Sequence, residues 1–300
     1  MQEIYKDEFS TFHPIVNMVF FLGAIILGMF LIHPVFVAIS LITGIIYLIT
    51  LKKTKALKEL MYMLFLFVLI SVINPFFNRM GANVLFRLFG RPYTLEALIY
   101  GMTLGGMAVA ILCWFACYNA IMTSDKFIYI FGKIIPAISL ILTMILRLIP
   151  NLTKKTKQIA SARASIGMAG SVSESRKEKI RNGTVVLSTL TSWALEGGII
   201  TADSMRSRGY GTGKRTTFAK YRFDARNVII SCLFVILLAA VIFCAAKGCA
   251  KAEFVPYFTM TWFGEIYMLI GFITYTVFLC IPTLLFFKET IKWRILRSKI

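Results

Sequence analysis

Long apolar runs separated by short polar segments make up most of this chain. A helix that crosses roughly 30 Å of hydrocarbon needs about 20 apolar residues, and six runs are candidates for such a helix. They are residues 15–32, 35–51, 60–77, 95–122, 228–246 and 266–287. Only His33 and Pro34 separate the first two, which predicts a tight antiparallel helix hairpin. The pattern predicts an all-α, polytopic membrane protein with about six transmembrane helices.

The composition supports this interpretation. Of the 300 residues, 58% are hydrophobic and 16% are charged, whereas soluble domains have roughly 45–50% and 25%. The net charge is +19, from 33 Lys and Arg against 14 Asp and Glu. Such an excess would suggest nucleic acid in a soluble chain, but in a membrane protein basic residues collect in cytoplasmic loops. We therefore expect the lipid bilayer as a partner and no nucleic acid.

A seventh apolar run, residues 134–150, is bounded by prolines and interrupted by Arg147. If it does not cross the membrane, three basic segments share one side: the four-lysine stretch KKTKALKE, the middle of the chain and the C-terminal KETIKWRILRSKI. Residues 124–226 carry 18 Lys and Arg against 6 Asp and Glu, so the positive-inside rule favours this topology. We expect both termini and the middle region in the cytoplasm, residues 134–149 as a buried or interfacial helix, and the loop 78–94 outside.

These assignments predict three regions. Residues 1–133 form an N-terminal membrane region of four spans, residues 134–226 a helical cytoplasmic insertion, and residues 227–300 a C-terminal membrane region of two spans with a basic tail. An insertion of this size is too long for a simple connecting loop, and we expect it to have a function of its own.

Two helices are expected in the insertion. Asn151, after Pro150, can cap a first helix LTKKTKQIASARASIGM that ends at Gly167 and Gly170. The polar stretch SVSESRKEKIRN that follows is typical of a solvated turn or helix face. A second helix, TVVLSTLTSWALEGGIITADSMRSRG, then ends at Gly209.

The glycines of ADSMRSRGYGTGKRT, at the end of the second helix, do not form a phosphate loop. Such a loop needs a glycine five positions before its last glycine and a hydroxyl after the lysine, but Arg208 and Arg215 occupy those positions. A cation in the last turn followed by glycine is instead typical of helix ends, because unpaired carbonyls attract positive charge.

Helix-end chemistry does not explain why the motif occurs twice. ASARASIG and ADSMRSRGYG each place arginine among alanine, serine and glycine near the C-terminal end of a helix. Small neighbours allow a second backbone to approach closely, and an arginine that rises from such a surface can form forked hydrogen bonds with a carboxylate. The pair therefore indicates two docking points for partner proteins.

The string TADSMRSRGYG resembles the second Ala-Arg-Gly signature of the transmembrane T component of energy-coupling factor (ECF) transporters, the scaffold subunit of vitamin and metal-ion importers. ASARASIG, which follows LRLIP, resembles the first signature, with Ala164 where glycine is usual. The resemblance extends over the whole chain in layout: an apolar N-terminal half, a cytoplasmic coupling domain and a return to the membrane.

This resemblance implies a non-catalytic subunit of an ABC-type importer in the cell membrane. Two cytoplasmic ATPases would each accept one coupling helix, and the scaffold would transmit their motion to a separate substrate-binding membrane subunit, the S component. Arg163, with Ala162 and Ala164, would dock in one ATPase. Arg208, with Ser207 and Gly209, would dock in the other. Supporting roles fall to Ala202, Asp203, Met205 and Tyr210.

Two other classes of membrane protein fit the sequence less well. A membrane-embedded enzyme would need ionisable groups clustered at bilayer depth, but no two of the candidates have a spacing suited to acid–base chemistry, cofactor binding or metal binding. These candidates are His13, His33, Asn74, Glu96 and Asn119. A self-contained secondary transporter would show inverted repeats and broken, charged helices, which the sequence does not indicate.

The cysteines contribute little to this choice. Cys113 and Cys117 lie one helical turn apart in an apolar run, which favours core packing over metal ligation. Cys244 and Cys249 flank a loop expected outside the membrane, and their spacing is compatible both with a disulfide bond between them and with two free thiols.

Overall fold

The computed structural model describes residues 8–78, 81, 83–88, 91–168, 175–213, 221, 224–249, 252 and 266–297. Nearly all of them are helical, and the predicted all-α membrane fold is confirmed. The helices are α1 Glu8–Thr11, α2 Pro14–Phe30, α3 Pro34–Lys52, α4 Thr54–Phe77, α5 Leu95–Ile121, α6 Ser124–Ile134, α7 Pro136–Ser165, α8 Arg176–Ser207, α9 Ala225–Cys244 and α10 Ile266–Arg297. A π-helical turn, Ala245–Cys249, extends α9.

Each of the six predicted spans corresponds to one of these helices. Within the described residues, seven helices are long and apolar enough to cross a membrane: α3, α4, α5, α7, α8, α9 and α10. The helix of the first predicted span, α2, is apolar but has only 17 residues. By length and composition α7 and α8 also qualify, although the charge rule places them in the cytoplasm. Their cytoplasmic location therefore stays a prediction.

The dipeptide His-Pro begins two successive helices in the same way. His13 and His33 are the N-cap residues of α2 and α3, and the proline that follows each takes the first helical position, where a missing N–H costs nothing. Each imidazole accepts a hydrogen bond through Nδ1 from the second residue after it, at 3.3 Å. The starts of α2 and α3 are therefore fixed by local sequence, whereas the predicted tight packing of the two helices against each other stays a prediction.

The chain divides into two compact units, one of Met1–Phe127 with Tyr221–Ile300 and one of Ile128–Lys220. In the first unit, a cluster of aromatic rings from α2, α5, α9 and α10 forms the centre of the core. The Phe20 ring lies 5.2 Å from Phe234, 5.1 Å from Phe278 and 5.6 Å from Trp114, between ring centroids. The indole of Trp114 donates to Ser40 Oγ at 3.0 Å, which ties α5 to α3.

Helices α4 and α5 approach each other closely through glycine. A Cβ atom added to Gly101 would lie 2.9 Å from the carbonyl oxygen of Ser71, and one added to Gly105 would lie 3.1 Å from that of Phe67. Glycine is therefore what allows the two backbones to pack at this crossing.

The segment between α4 and α5, predicted as a loop, contains a β-hairpin. Strands β1 Val84–Leu88 and β2 Arg91–Thr94 pair antiparallel, with Val84 opposite Thr94 and Leu88 opposite Arg91. Glu96, on the first turn of α5, is buried and accepts hydrogen bonds from the backbone N and the Nδ2 of Asn83. This carboxylate therefore holds the start of the hairpin against the start of α5.

In the second unit, two sequence predictions about helix boundaries are wrong. Helix α7 continues through Pro150 without a break, so Asn151 is an interior residue and not a cap. The proline removes one backbone donor, but the flanking sequence keeps helical geometry on both sides. Helix α8 begins at Arg176, eight residues before the predicted start, because Ser175 and Glu178 form a capping box. The predicted stop at Gly170 lies outside the described residues.

Candidate arginine site on the helix pair

Helix α7 ends in a Schellman motif next to Arg163. Gly167 takes a left-handed conformation with φ of 71°, and its N–H donates to the carbonyl of Ala164 at 3.0 Å. The N–H of Met168 donates to the carbonyl of Arg163 itself, also at 3.0 Å. These are the two hydrogen bonds that define the motif.

Helix α8 ends in the same motif. Gly209 has φ of 76°, its N–H donates to the carbonyl of Arg206 at 3.0 Å, and the N–H of Tyr210 donates to that of Met205 at 3.0 Å. Arg208 is the residue directly before the left-handed glycine. The likeness of the two segments, noted in the sequence as small residues and glycine, is therefore also a likeness of backbone geometry.

The two arginines differ in position relative to these turns. Arg163 precedes Gly167 by four residues, whereas Arg208 precedes Gly209 by one. The residue of α8 in the position of Arg163 is Met205. The two cations therefore differ by three residues, less than one helical turn, in their distance from the left-handed glycine, and such positions are neighbours on one helix face.

The Arg163 side chain is partly buried against α8. Its Nη2 donates to Oδ1 of Asn182 at 3.0 Å, while its Nε is buried and has no hydrogen-bond partner. A buried donor without an acceptor costs about 1–3 kcal/mol. Sequence reasoning missed Asn182, because nothing in its polar surroundings distinguishes it from a solvated residue.

Arg208 is exposed, together with Ser207 and Gly209. Among the described residues, no hydrogen bond or ion pair of the Arg208 guanidinium is found. Ser207 uses its hydroxyl within the helix, donating to the carbonyl of Asp203 at 2.9 Å. This arginine is therefore available to an external acceptor, whereas Arg163 is already oriented by its own unit.

The remaining predicted residues surround these two positions. Ala162 and Ala164 are exposed beside Arg163 and leave its helix surface without large side chains. On α8, Ala202 and Asp203 are exposed, Met205 is partly buried, and the Tyr210 side chain is 51% exposed.

Helices α7 and α8 run in opposite directions, so their C-terminal ends lie at opposite ends of the pair. Lys155 Nζ lies 5.2 Å from the ring centroid of Trp193, and Arg163, eight residues further along α7, contacts Asn182, eleven residues earlier on α8. Asn182 marks the Arg163 end on α8, and 26 residues separate it from Arg208. At 1.5 Å per residue, about 39 Å of helix lies between the two arginine sites.

Both helices expose apolar side chains along their length. No residue of α8 is buried, and Leu187, Leu195 and Ile199 are each more than 60% exposed. On α7, Ile138, Ile141 and Ile149 are more than half exposed. The unit therefore presents apolar surface between its two cationic ends.

The residues considered for an embedded enzyme are dispersed. Asn74 Oδ1 accepts from Asn78, Asn119 is exposed, and the two histidines cap different helices. Within the described part of the chain, no group of three His, Cys, Asp or Glu side chains is placed to hold a metal ion.

Three of the described cysteines are buried, whereas Cys232 is exposed and Cys280 is partly buried. Cys113 and Cys117 are buried, and Cys113 Sγ lies 3.4 Å from Met63 Sδ. Cys244 is a free, buried thiol in the structure, while the side chain of Cys249 lies outside the described residues.

No protein-family model matches this chain, and a comparison with curated proteins finds no match either.

Proposed function

We propose that this chain is the transmembrane scaffold of an ECF-type ABC importer, which couples two cytoplasmic ATPases to a substrate-binding membrane subunit. The observation that carries the proposal is the α7–α8 pair: two antiparallel helices that end in the same turn and place Arg163 and Arg208 about 39 Å apart. Two separated docking points on one rigid unit suit two ATPase subunits that move relative to each other.

Arginine suits this docking role for a physical reason. Its planar guanidinium stays charged and can form two parallel hydrogen bonds with one carboxylate. Arg208 has this capacity free, and Asn182 occupies only one of the five N–H donors of Arg163. Docking that turns the Arg163 guanidinium toward a carboxylate would also give its buried Nε an acceptor.

The length of the helices suits the transmission of motion. Helix α7 has 30 residues and α8 has 32, so each is a rod of roughly 45–48 Å. Closure of the two ATPases around ATP would displace the two ends of the pair, and a stiff helix passes such a displacement on as a rigid-body rotation. ATP would be hydrolysed by the partner subunits, and the scaffold itself would perform no chemistry.

The exposed apolar side chains between the two arginine sites are the surface that we assign to membrane partners. A face with Leu187, Leu195 and Ile199 more than 60% exposed is suited to contact with the S component or the bilayer. The positive-inside rule supports a cytoplasmic location for the arginine sites and both termini, in the cell membrane. The cargo, a vitamin or a metal ion, would be selected by the S component.

A docking assay tests the proposal. The chain, coexpressed with the ABC-type ATPases of its own organism, is purified in detergent, and the affinity for each ATPase is measured for Arg208→Ala and Arg163→Ala. Truncation of one partner of a buried charge pair costs about 2–5 kcal/mol, so each variant should bind one ATPase at least about 30-fold more weakly. ATPase capture that is unchanged in the double variant would refute the docking model.

Two controls separate docking from folding. Lys154→Ala removes an exposed cation from α7 nine residues before Arg163 and should leave ATPase affinity unchanged. Asn182→Ala removes the intramolecular partner of Arg163 while keeping the cation. If Asn182→Ala weakens ATPase binding as much as Arg163→Ala does, the arginine acts by holding α7 on α8 and not by direct docking. If Arg208→Cys reacts with an impermeant thiol reagent added outside intact cells, and the unsubstituted chain does not, the Arg208 site is extracellular and the docking model is refuted.

A further inference from the structure

A groove on the first unit lies between helices α3, α4 and α5 and is lined entirely by apolar side chains. Its volume is about 520 Å³, which lies within the range of roughly 300–1,000 Å³ that small-molecule sites occupy. Val109 of α5 forms the floor and is 4% exposed. The walls are Leu41 and Ile45 of α3 and Leu57, Leu60, Met61, Met63, Leu64 and Phe67 of α4.

The groove is about half as long as the hydrocarbon core of a bilayer is thick. Along α4 it runs from Leu57 to Phe67, which is ten residues or about 15 Å, whereas the hydrocarbon core is about 30 Å thick. Beyond Phe67 the close crossing of α4 and α5 at Gly101 and Gly105 closes the groove. A Cβ atom added to Gly105 would lie 3.1 Å from the carbonyl oxygen of Phe67, so no space remains between the two helices there. A spanning helix of a partner would need the full thickness, whereas an acyl chain from one leaflet needs only half.

Lysines surround the end of the groove that faces away from this crossing. Helix α3 ends at Lys52, and α4 begins at Thr54, one turn before Leu57. Lys52 Nζ lies 2.8 Å from both carboxylate oxygens of Glu59, so this pair neutralises itself. Lys55 is exposed at this end, and Lys53 and Lys58 are exposed as well and add further positive charge.

Lys53 and Lys58 are both placed close to the groove. Lys58 precedes Met61 by three residues and therefore lies beside it on the surface of α4. Lys53 joins the two helices with φ of 49° and ψ of −119°, and it is alone among the described non-glycine residues in having a positive φ, which side-chain-bearing residues rarely adopt. Strained backbone of this kind often occurs at functional sites.

We propose that this groove binds an anionic phospholipid, with one acyl chain along the apolar walls and the phosphate between Lys53 and Lys58. Three independent features fit that occupant: apolar lining, a length of one leaflet, and positive charge at the end where a head group would lie. Basic pockets between transmembrane helices are typical sites for anionic lipids of the cytoplasmic leaflet. The inference does not depend on the proposed function.

Native mass spectrometry of the full chain in detergent tests the head-group site, with phosphatidylglycerol and phosphatidylcholine added in parallel. Lys53→Gln with Lys58→Gln should weaken phosphatidylglycerol binding by about 30-fold, from about 1 kcal/mol per lysine. It should weaken phosphatidylcholine binding less, because the choline cation of that lipid offsets the charge of its phosphate. Lys177→Gln with Lys179→Gln, on exposed residues of α8, makes the same change in charge elsewhere and should have no effect. Equal losses in the two double variants would overturn the proposal.

A photo-crosslinker tests the acyl-chain groove and its occupant. p-Benzoyl-phenylalanine at Met61, in vesicles of equal parts phosphatidylglycerol and phosphatidylcholine, should form a lipid adduct enriched in phosphatidylglycerol. Ile45→Trp, which places a large ring in the groove, should reduce that adduct. A crosslink to a second copy of this chain or to another protein, in place of lipid, would overturn the proposal, and so would an adduct of unchanged yield in Ile45→Trp. The lysine variants lie on the surface and stay informative if Ile45→Trp fails to fold.

Discussion

The close crossing of α4 and α5 predicts that replacing either of two glycines even by alanine destabilises the protein. An added Cβ atom would lie 2.9 Å from the Ser71 carbonyl oxygen at Gly101, and 3.0 Å from Ser71 Oγ and 3.1 Å from the Phe67 carbonyl oxygen at Gly105. Ordinary contacts begin near 3.4 Å, so the two backbones would have to separate by a few tenths of an ångström. Backbone atoms cannot rotate away as a side chain can.

We expect Gly101→Ala and Gly105→Ala to lower the free energy of unfolding by about 1–3 kcal/mol each, the usual cost of overpacking. The double variant should cost less than the sum, because both substitutions act on one crossing. Gly28→Ala is the matched control, since its added Cβ atom would lie 3.8 Å from the nearest atom, Ile111 Cγ1. In a helix interior that change should be neutral or stabilise by up to about 1 kcal/mol.

Unfolding of the purified protein in mixed micelles with increasing dodecyl sulfate provides the measurement. With Trp193, Trp262 and Trp293 replaced by Phe in every variant, fluorescence of the buried indole of Trp114 reports loss of the core. If Gly101→Ala and Gly105→Ala unfold at the same denaturant fraction as Gly28→Ala, the close approach does not limit packing at this crossing. The closure of the lipid groove beyond Phe67 would then lose its physical basis.

Three further outcomes are expected. Burial lowers the pKa of His33, so the folded state favours the neutral imidazole, and stability should fall as pH drops below about 6.5 toward the folded pKa. His33→Asn keeps a capping oxygen and should remove that part of the pH dependence, measured by thermal unfolding at pH 5–8. Ser40→Ala deprives the buried Trp114 N–H of its acceptor and should cost about 1–3 kcal/mol in the same micelle assay, whereas Ser40→Thr should recover part of it. Gly167→Ala and Gly209→Ala force alanine into a left-handed conformation, at about 1–2 kcal/mol each, so amide hydrogen exchange should accelerate in the last turns of α7 and α8 and not at their centres.

Local chemistry explains which structural features could be predicted from sequence. The His-Pro pairs that begin α2 and α3 are visible in the sequence, since a capping side chain and a proline at the first position act within one turn. The glycines after Arg163 and Arg208 likewise end their helices by backbone preference alone. The predictions failed where two local signals competed: Pro150 suggested a break, but one lost hydrogen bond was too small a penalty to interrupt a 30-residue helix. The capping box of Ser175 and Glu178 is present in the sequence, but the dense charge around it is equally typical of a solvated segment.

The sequence by itself determined the class of the protein, because apolar runs of membrane length and the placement of charge depend only on residue type and spacing. It also identified the two arginine segments, since small residues and a terminal glycine are local features. Only the tertiary structure decided that the arginines lie at opposite ends of an antiparallel pair, that Asn182 holds one of them, and that α4 leaves α5 beyond the glycine crossing to open a groove. These features depend on contacts between residues that are distant along the chain, which no local pattern records.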